Sequence, residues 1–231
     1  MSSVAALRND EICHHNHVTL VDGQSTFSAF SRLRLALPTG CSELNYHHLR
    51  KTCDAIRNQN GFGDANLTVA SFSFDLNSTS QAKFQTAISH AGYRVDPVDF
   101  RLATVTTVAS QSDATSGPPR VQSLASRIAN LLGKLSVQSS LKLLVVSNSF
   151  ELAGALQELA GNRESQVGLA FFDSLLDERW RRIGIGTSRS SIQYLPLDDQ
   201  IPFLFQCHMP FPSINSALPQ GRSEVTGLSI Y

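Results

Sequence analysis

The sequence predicts a doubly wound α/β fold, a mostly parallel sheet with helices on both faces. Three observations carry this expectation. Short β-rich apolar runs recur at residues 18–21, 67–74, 141–146 and 167–172. Stretches with apolar residues at helical spacing separate them. Several runs end on polar or acidic residues, namely Asp22, Asp75, Ser147-Asn148-Ser149 and Asp173. Strands that alternate with helices need right-handed crossovers, and such crossovers build a parallel sheet covered on both sides.

Residues 1–16 are polar and without period, so strand one is placed at Val18-Thr19-Leu20-Val21, stopping at Asp22-Gly23. Phe27, Phe30, Leu33, Leu35 and Leu37 then predict a helix that ends before Pro38-Thr39-Gly40. Leu44, His48, Leu49, Cys53 and Ile56 share a stripe, which predicts a second helix over 44–57, broken by Gly61-Phe62-Gly63-Asp64. The run 67–74 is strand two, followed by the capping cluster Asn77-Ser78-Thr79-Ser80 and a helix over 81–90 that Gly92 closes. A third strand is expected at 93–98.

Residues 103–119 are rich in Ser, Thr and Ala and end in Gly117-Pro118-Pro119, the composition of a loop. Val121, Leu124, Ile128, Leu131, Leu132 and Leu135 give the clearest amphipathic helix. A buried strand at 141–146, a helix over 150–160 closed by Gly161-Asn162, and a strand at 167–172 follow. Residues 193–197 are read as an edge strand because Pro196 lacks a ladder donor. The expected organisation is an irregular N-terminal extension (1–17), one domain (18–198) and an irregular tail (199–231).

Composition narrows the function classes. With 42% hydrophobic and 16% charged residues the chain can bury a core without metal or disulfide support. Lys plus Arg equals Asp plus Glu at 19 each, which argues against a strong sequence-independent grip on nucleic acid, so any contact with a polyanion is local. The aliphatic runs are far shorter than the roughly 20 residues needed to span a bilayer, and the first residues carry neither a basic segment nor a continuous apolar one. Cys13, Cys41, Cys53 and Cys207 lack paired spacing and suit reduced thiols. The expectation is a soluble cytoplasmic protein with no membrane association.

In open α/β sheets reactive groups gather beyond the carboxyl ends of the strands. Converging carboxylates there can hold Mg²⁺ or Mn²⁺ and activate water for attack on phosphate, and Asp22, Glu151 and Asp173 are the candidates for catalysis and metal binding. The same residue types also serve as helix caps and turn formers. Ser147, Asn148 and Ser149 can present donors to a phosphate at a helix start. Arg179, Arg181 and Arg182 around Trp180 form a local basic patch that can grip an RNA backbone, with Trp180 either stacking a base or anchoring the core. Cys13-His14-His15-Asn16-His17, with Cys41, His47 and His48, meets no standard zinc spacing. Ile183-Gly184-Ile185-Gly186 does not complete a dinucleotide fingerprint.

The order Val18-Thr19-Leu20-Val21-Asp22-Gly23, then Phe74-Asp75 with Phe84, Ile88 and Gly92-Tyr93-Arg94-Val95, then Leu143-Leu144-Val145-Val146-Ser147-Asn148-Ser149-Phe150-Glu151-Leu152 resembles the NYN domains of the PIN-like superfamily, which includes the LabA-like proteins. The resemblance spans about 18–197. It implies a metal-dependent ribonuclease or RNA-binding domain with Asp22 as the aspartate after the first strand. In the family's serine-glycine-aspartate-x-aspartate run, Ser147 keeps the serine, while Asn148, Ser149 and Glu151 stand for the glycine and the two aspartates. The preceding helix offers Ser123 and Asn130 in place of acids. The resemblance therefore implies two outcomes: a reduced Mg²⁺ or Mn²⁺ site acting on RNA, or an inactive pseudonuclease whose sheet and apolar, proline-rich tail serve a protein partner or a second copy.

Overall fold

The computed structural model describes residues 7, 11–37, 44–74, 79–99, 124–162, 164–183 and 191–205. Six parallel strands form one sheet: β1 (His17–Asp22), β2 (Leu67–Phe74), β3 (Arg94–Asp99), β4 (Lys142–Val146), β5 (Gln166–Phe171) and β6 (Ile192–Pro196), in the order β3-β2-β1-β4-β5-β6. The order turns back between β1 and β4, which are direct neighbours. Parallel strands at the centre of such a sheet are covered on both faces. Accordingly, β1 and β4 are buried along nearly their whole length. Pro97 and Pro196 lie on the outer strands β3 and β6, where a missing N–H costs least.

Helices α1 (Gly23–Ala36), α2 (Tyr46–Gln59), α3 (Thr79–His90), α4 (Leu124–Leu135), α5 (Ala153–Gly161), α6 (Glu178–Arg182) and α7 (Ile201–Leu204) surround the sheet. On one face Leu20, Val69, Leu143 and Val145 pack with Ile128, Leu131, Leu132 and Leu135 of α4 and Leu156 of α5. On the other, Val21, Ala70, Leu144 and Val146 pack with Phe30 and Leu33 of α1, Leu49 and Cys53 of α2, and Ile201 and Leu204 of α7. The doubly wound α/β expectation holds.

The unit reaches past the expected bounds at both ends. Ahead of β1, Ile12 in a short 3₁₀ turn (Glu11–His14) is fully buried and the Leu7 N–H donates to the Val95 carbonyl of β3. After residue 198 the chain does not become irregular at once, since Ile201, Leu204 and Phe205 seal the α1/α2 side. A turn at Asp173–Leu175 and helix α6 were not legible as elements in the sequence, because each is shorter than a full amphipathic repeat. Asp75, Asn77, Ser78, the 103–119 segment, Ser123, Cys41, Cys207, Gly184, Gly186 and the chain from 206 onward lie outside the described residues.

Two close approaches fix how α1 leaves β1 and how the sheet meets the loop ahead of β2. No loop separates β1 from α1, and a Cβ on Gly23 would fall 2.2 Å from the Phe72 ring of β2. Across the sheet, a Cβ on Gly168 of β5 would fall 2.7 Å from the Phe62 ring. Beneath the strands, Arg57 of α2 is fully buried and donates to the carbonyls of Val18, Phe62, Gly63 and Lys142. One guanidinium thereby ties α2 and the 62–63 turn to the starts of β1 and β4. Burial pulls its pKa down to about 10, which leaves it charged at neutral pH.

Candidate functional site

The turn in strand order places the ends of β1 and β4 side by side, and there Asp22 meets the 147–149 corner. Asp22 is 3% exposed and ends β1 in extended conformation, so its side chain folds back over the start of α1. One carboxylate oxygen accepts from the Ser25 N–H at 3.0 Å and the other from the Ser147 hydroxyl at 2.8 Å. Asp22 is thus the N-cap of α1 and a clamp on the β4 corner. Burial is the main influence on its pKa and raises it; the bonds from Ser25 and Ser147 oppose that, and the charge of Glu151 adds to it.

The corner is stitched on every side. Ser147 also accepts from the Ser149 N–H at 3.0 Å, and the Asn148 N–H donates to the Ser25 hydroxyl at 2.8 Å. The Asn148 amide pairs twice with the Phe172 backbone, at 2.9 and 3.1 Å. Ser149 caps the 3₁₀ turn Phe150–Leu152 through the Glu151 N–H at 3.3 Å. Of the phosphate-binding candidates, Ser147 is 1% exposed and all three residues are engaged in holding the backbone.

Glu151 and Asp173 form no three-acid group with Asp22. Glu151 is exposed at the start of its turn, and Asp173 is exposed beyond β5 with its carboxylate facing Arg181 at 3.4 Å. Among the described residues no group of three or more His, Cys, Asp or Glu side chains is placed to hold a metal ion, so the expected trio does not gather. The His-rich segment forms no such group either: His17 and His48 bond the carbonyls of Asp64 and Phe203.

The basic patch is largely answered by its own acids. Arg179 makes a bidentate pair with Asp177, whose carboxyl it holds down at about 2, and lies over the Phe150 ring at 4.6 Å. Arg181 faces Asp173 and Glu178. Trp180 is fully buried, edge-on to Phe150 at 5.3 Å. Of the two readings of Trp180, the core anchor is the one the structure shows, because its ring is in the α4/α5 layer.

The sequence reading missed a polar row across the sheet. Asp22, Ser71 and Asp96 are in register on β1, β2 and β3, so their side chains leave the same face of the sheet. Ser71 donates to Asp96 at 3.1 Å, and Arg127 of α4 forms a bidentate pair with Asp96 at 2.6 and 3.1 Å. Asp96 is 1% exposed. A carboxylate inside the run 93–98 was the available signal, since a buried charge in a strand demands a partner. Asp198 was also missed; it receives the N–H groups of Asp173 and Ser174 and secures the turn after β5.

No family model matches the chain, and no curated protein matches it. Among solved structures, the crystal structure of a protein of unknown function, VPA0982 from Vibrio parahaemolyticus RIMD 2210633, is similar with a TM-score of 0.52. It is 11% identical, and the match covers 79% of this chain and 92% of that one. This likeness concerns the fold alone.

Proposed function

We propose that this chain is a PIN-like/NYN pseudonuclease, a domain that works by binding a protein partner and runs no metal-dependent cleavage of RNA. The observation that carries this reading is the state of Asp22: a buried carboxylate with each oxygen already accepting a bond and, among the described residues, no group of three acids gathered around it. Mg²⁺ and Mn²⁺ are hard cations that need several oxygen ligands, usually with anionic charge among them. Asp96, the other buried acid on this face, is neutralised by Arg127. The donor set among the described residues does not fit either ion.

Absence of a net positive surface at α6 supports the same reading, since acids face two of its three arginines. The cytoplasmic setting belongs to this proposal. No helix among the described residues is long and apolar enough to cross a membrane. The test is an RNA-cleavage assay with Mn²⁺ or Mg²⁺ on the full chain and on Asp22→Asn. Both are expected to match the protein-free control. Manganese-dependent cleavage by the parent chain that Asp22→Asn abolishes would overturn the proposal.

A further inference from the structure

A cavity of about 370 Å³ opens at the carboxyl edge of the sheet, between α1 and the turns after β4 and β5. Its position beside the reversal of strand order is where ligands settle in doubly wound sheets. Ser25, Ser28 and Arg32 line it from α1, at spacings of three and seven residues that put them on one helical stripe. Ser174 and Leu176 line the opposite wall.

What this lining has left to offer is almost entirely hydrogen-bond donors. Arg50, Arg57, Arg94, Arg127, Arg179 and Arg181 all hold acceptors within the fold. Arg32, among the described residues, forms no hydrogen bond or ion pair and faces the cavity. The Ser25 hydroxyl accepts from Asn148, which leaves its proton free to donate. The Ser174 hydroxyl oxygen is buried without a partner. Two groups that would oppose an anion are occupied: the Asn148 carbonyl oxygen by the Phe172 N–H, and Asp177 by Arg179. Ala29, Leu175 and Leu176 supply an apolar wall, and the volume suits a ligand of mononucleotide size.

We propose that this cavity binds a phosphate monoester carried on a small organic body, with Arg32 meeting the phosphate and Ser25, Ser28 and Ser174 donating hydroxyl groups to it. A guanidinium plus several hydroxyls matches a group with three terminal oxygens better than it matches a carboxylate. The inference stands on the cavity and not on the pseudonuclease reading. Two sources carry this chemistry: a free nucleoside monophosphate and the 5′-phosphate end of an oligonucleotide.

Binding is measured on the full chain by calorimetry in EDTA, so that no metal-dependent reaction enters the result. The probes are AMP, adenosine, and an RNA tetranucleotide with either a 5′-phosphate or a 5′-hydroxyl. A phosphorylated probe is expected to bind, and its unphosphorylated counterpart to bind at least about tenfold more weakly. AMP binding alone assigns a free nucleotide, and binding of the phosphorylated tetranucleotide alone assigns an RNA end. Arg32 is exposed, so Arg32→Ala leaves the fold intact; it is expected to weaken binding about tenfold or more, with Arg32→Lys retaining part of the affinity. Equal binding of phosphorylated and unphosphorylated probes, no binding of any probe at about 1 mM, or an unchanged affinity in Arg32→Ala would each overturn the proposal.

Discussion

At the scale of single residues, Asp22 and Arg57 show how burial turns a charged group into a structural tie. Asp22→Ala removes the cap of α1 and the acceptor for the Ser147 hydroxyl, at a cost of about 2 kcal/mol in urea denaturation. Asp22→Asn keeps an amide oxygen for the cap and is expected to be no less stable than the parent at pH 7. The sign of the pH dependence follows from the raised pKa. A carboxyl whose pKa is higher in the fold than in the unfolded chain adds stability in full below its unfolded value, near 3.8, and that contribution is lost as pH rises through the folded value. The stability of Asp22→Asn relative to the parent should therefore increase from pH 3 to pH 7; a decrease would mean that Asp22 is held ionised. Arg57→Met leaves the carbonyls of Val18, Phe62, Gly63 and Lys142 without their donor and is expected to cost about 3 kcal/mol.

At the scale of elements, the junction of β1 with α1 is set by Gly23. A side chain there must displace the Phe72 ring, which packs edge-on against Tyr46 and Phe84. Gly23→Ala is expected to destabilise by about 2 kcal/mol through overpacking. Phe72→Leu in the same chain should recover part of that loss, giving a coupling of about 1 kcal/mol in a double-mutant cycle. Simple additivity of the two substitutions would rule the contact out as the cause. The same junction aims Ser25, Ser28 and Arg32 at the cavity, because α1 starts without a loop and its rotation about its axis is fixed by the strand before it.

At the scale of the whole molecule, the sheet is closed by segments outside the expected domain. Ending the chain at Asp198 removes Ile201, Leu204 and Phe205 from the layer formed with α1 and α2. Burial of three large apolar side chains stabilises by roughly 5 kcal/mol, a large share of what a domain has. The shortened chain should lose its cooperative thermal transition, or melt well below the parent, by circular dichroism. An unchanged transition would show that α7 is dispensable. Balanced charge also acts at this scale: at a formal net charge of zero the chain as a whole exerts no net attraction on a polyanion, so any such contact must be local.

The class of the fold, all six strands to within one residue at each end, and the edge position of Pro196 were legible in the sequence. Those features rest on local periodicity and on what one residue type permits in its own backbone. The sequence also determined that Asp22 ends the first strand, but not whether that carboxylate is a cap or a ligand, because aspartate serves both. The folded chain shows the capping role. Strand order and register bring Asp22 to Ser147 and align Ser71 and Asp96 beside it, while α4 delivers Arg127 to Asp96. Such meetings depend on pairings between segments far apart in the chain, and local periodicity holds no record of them.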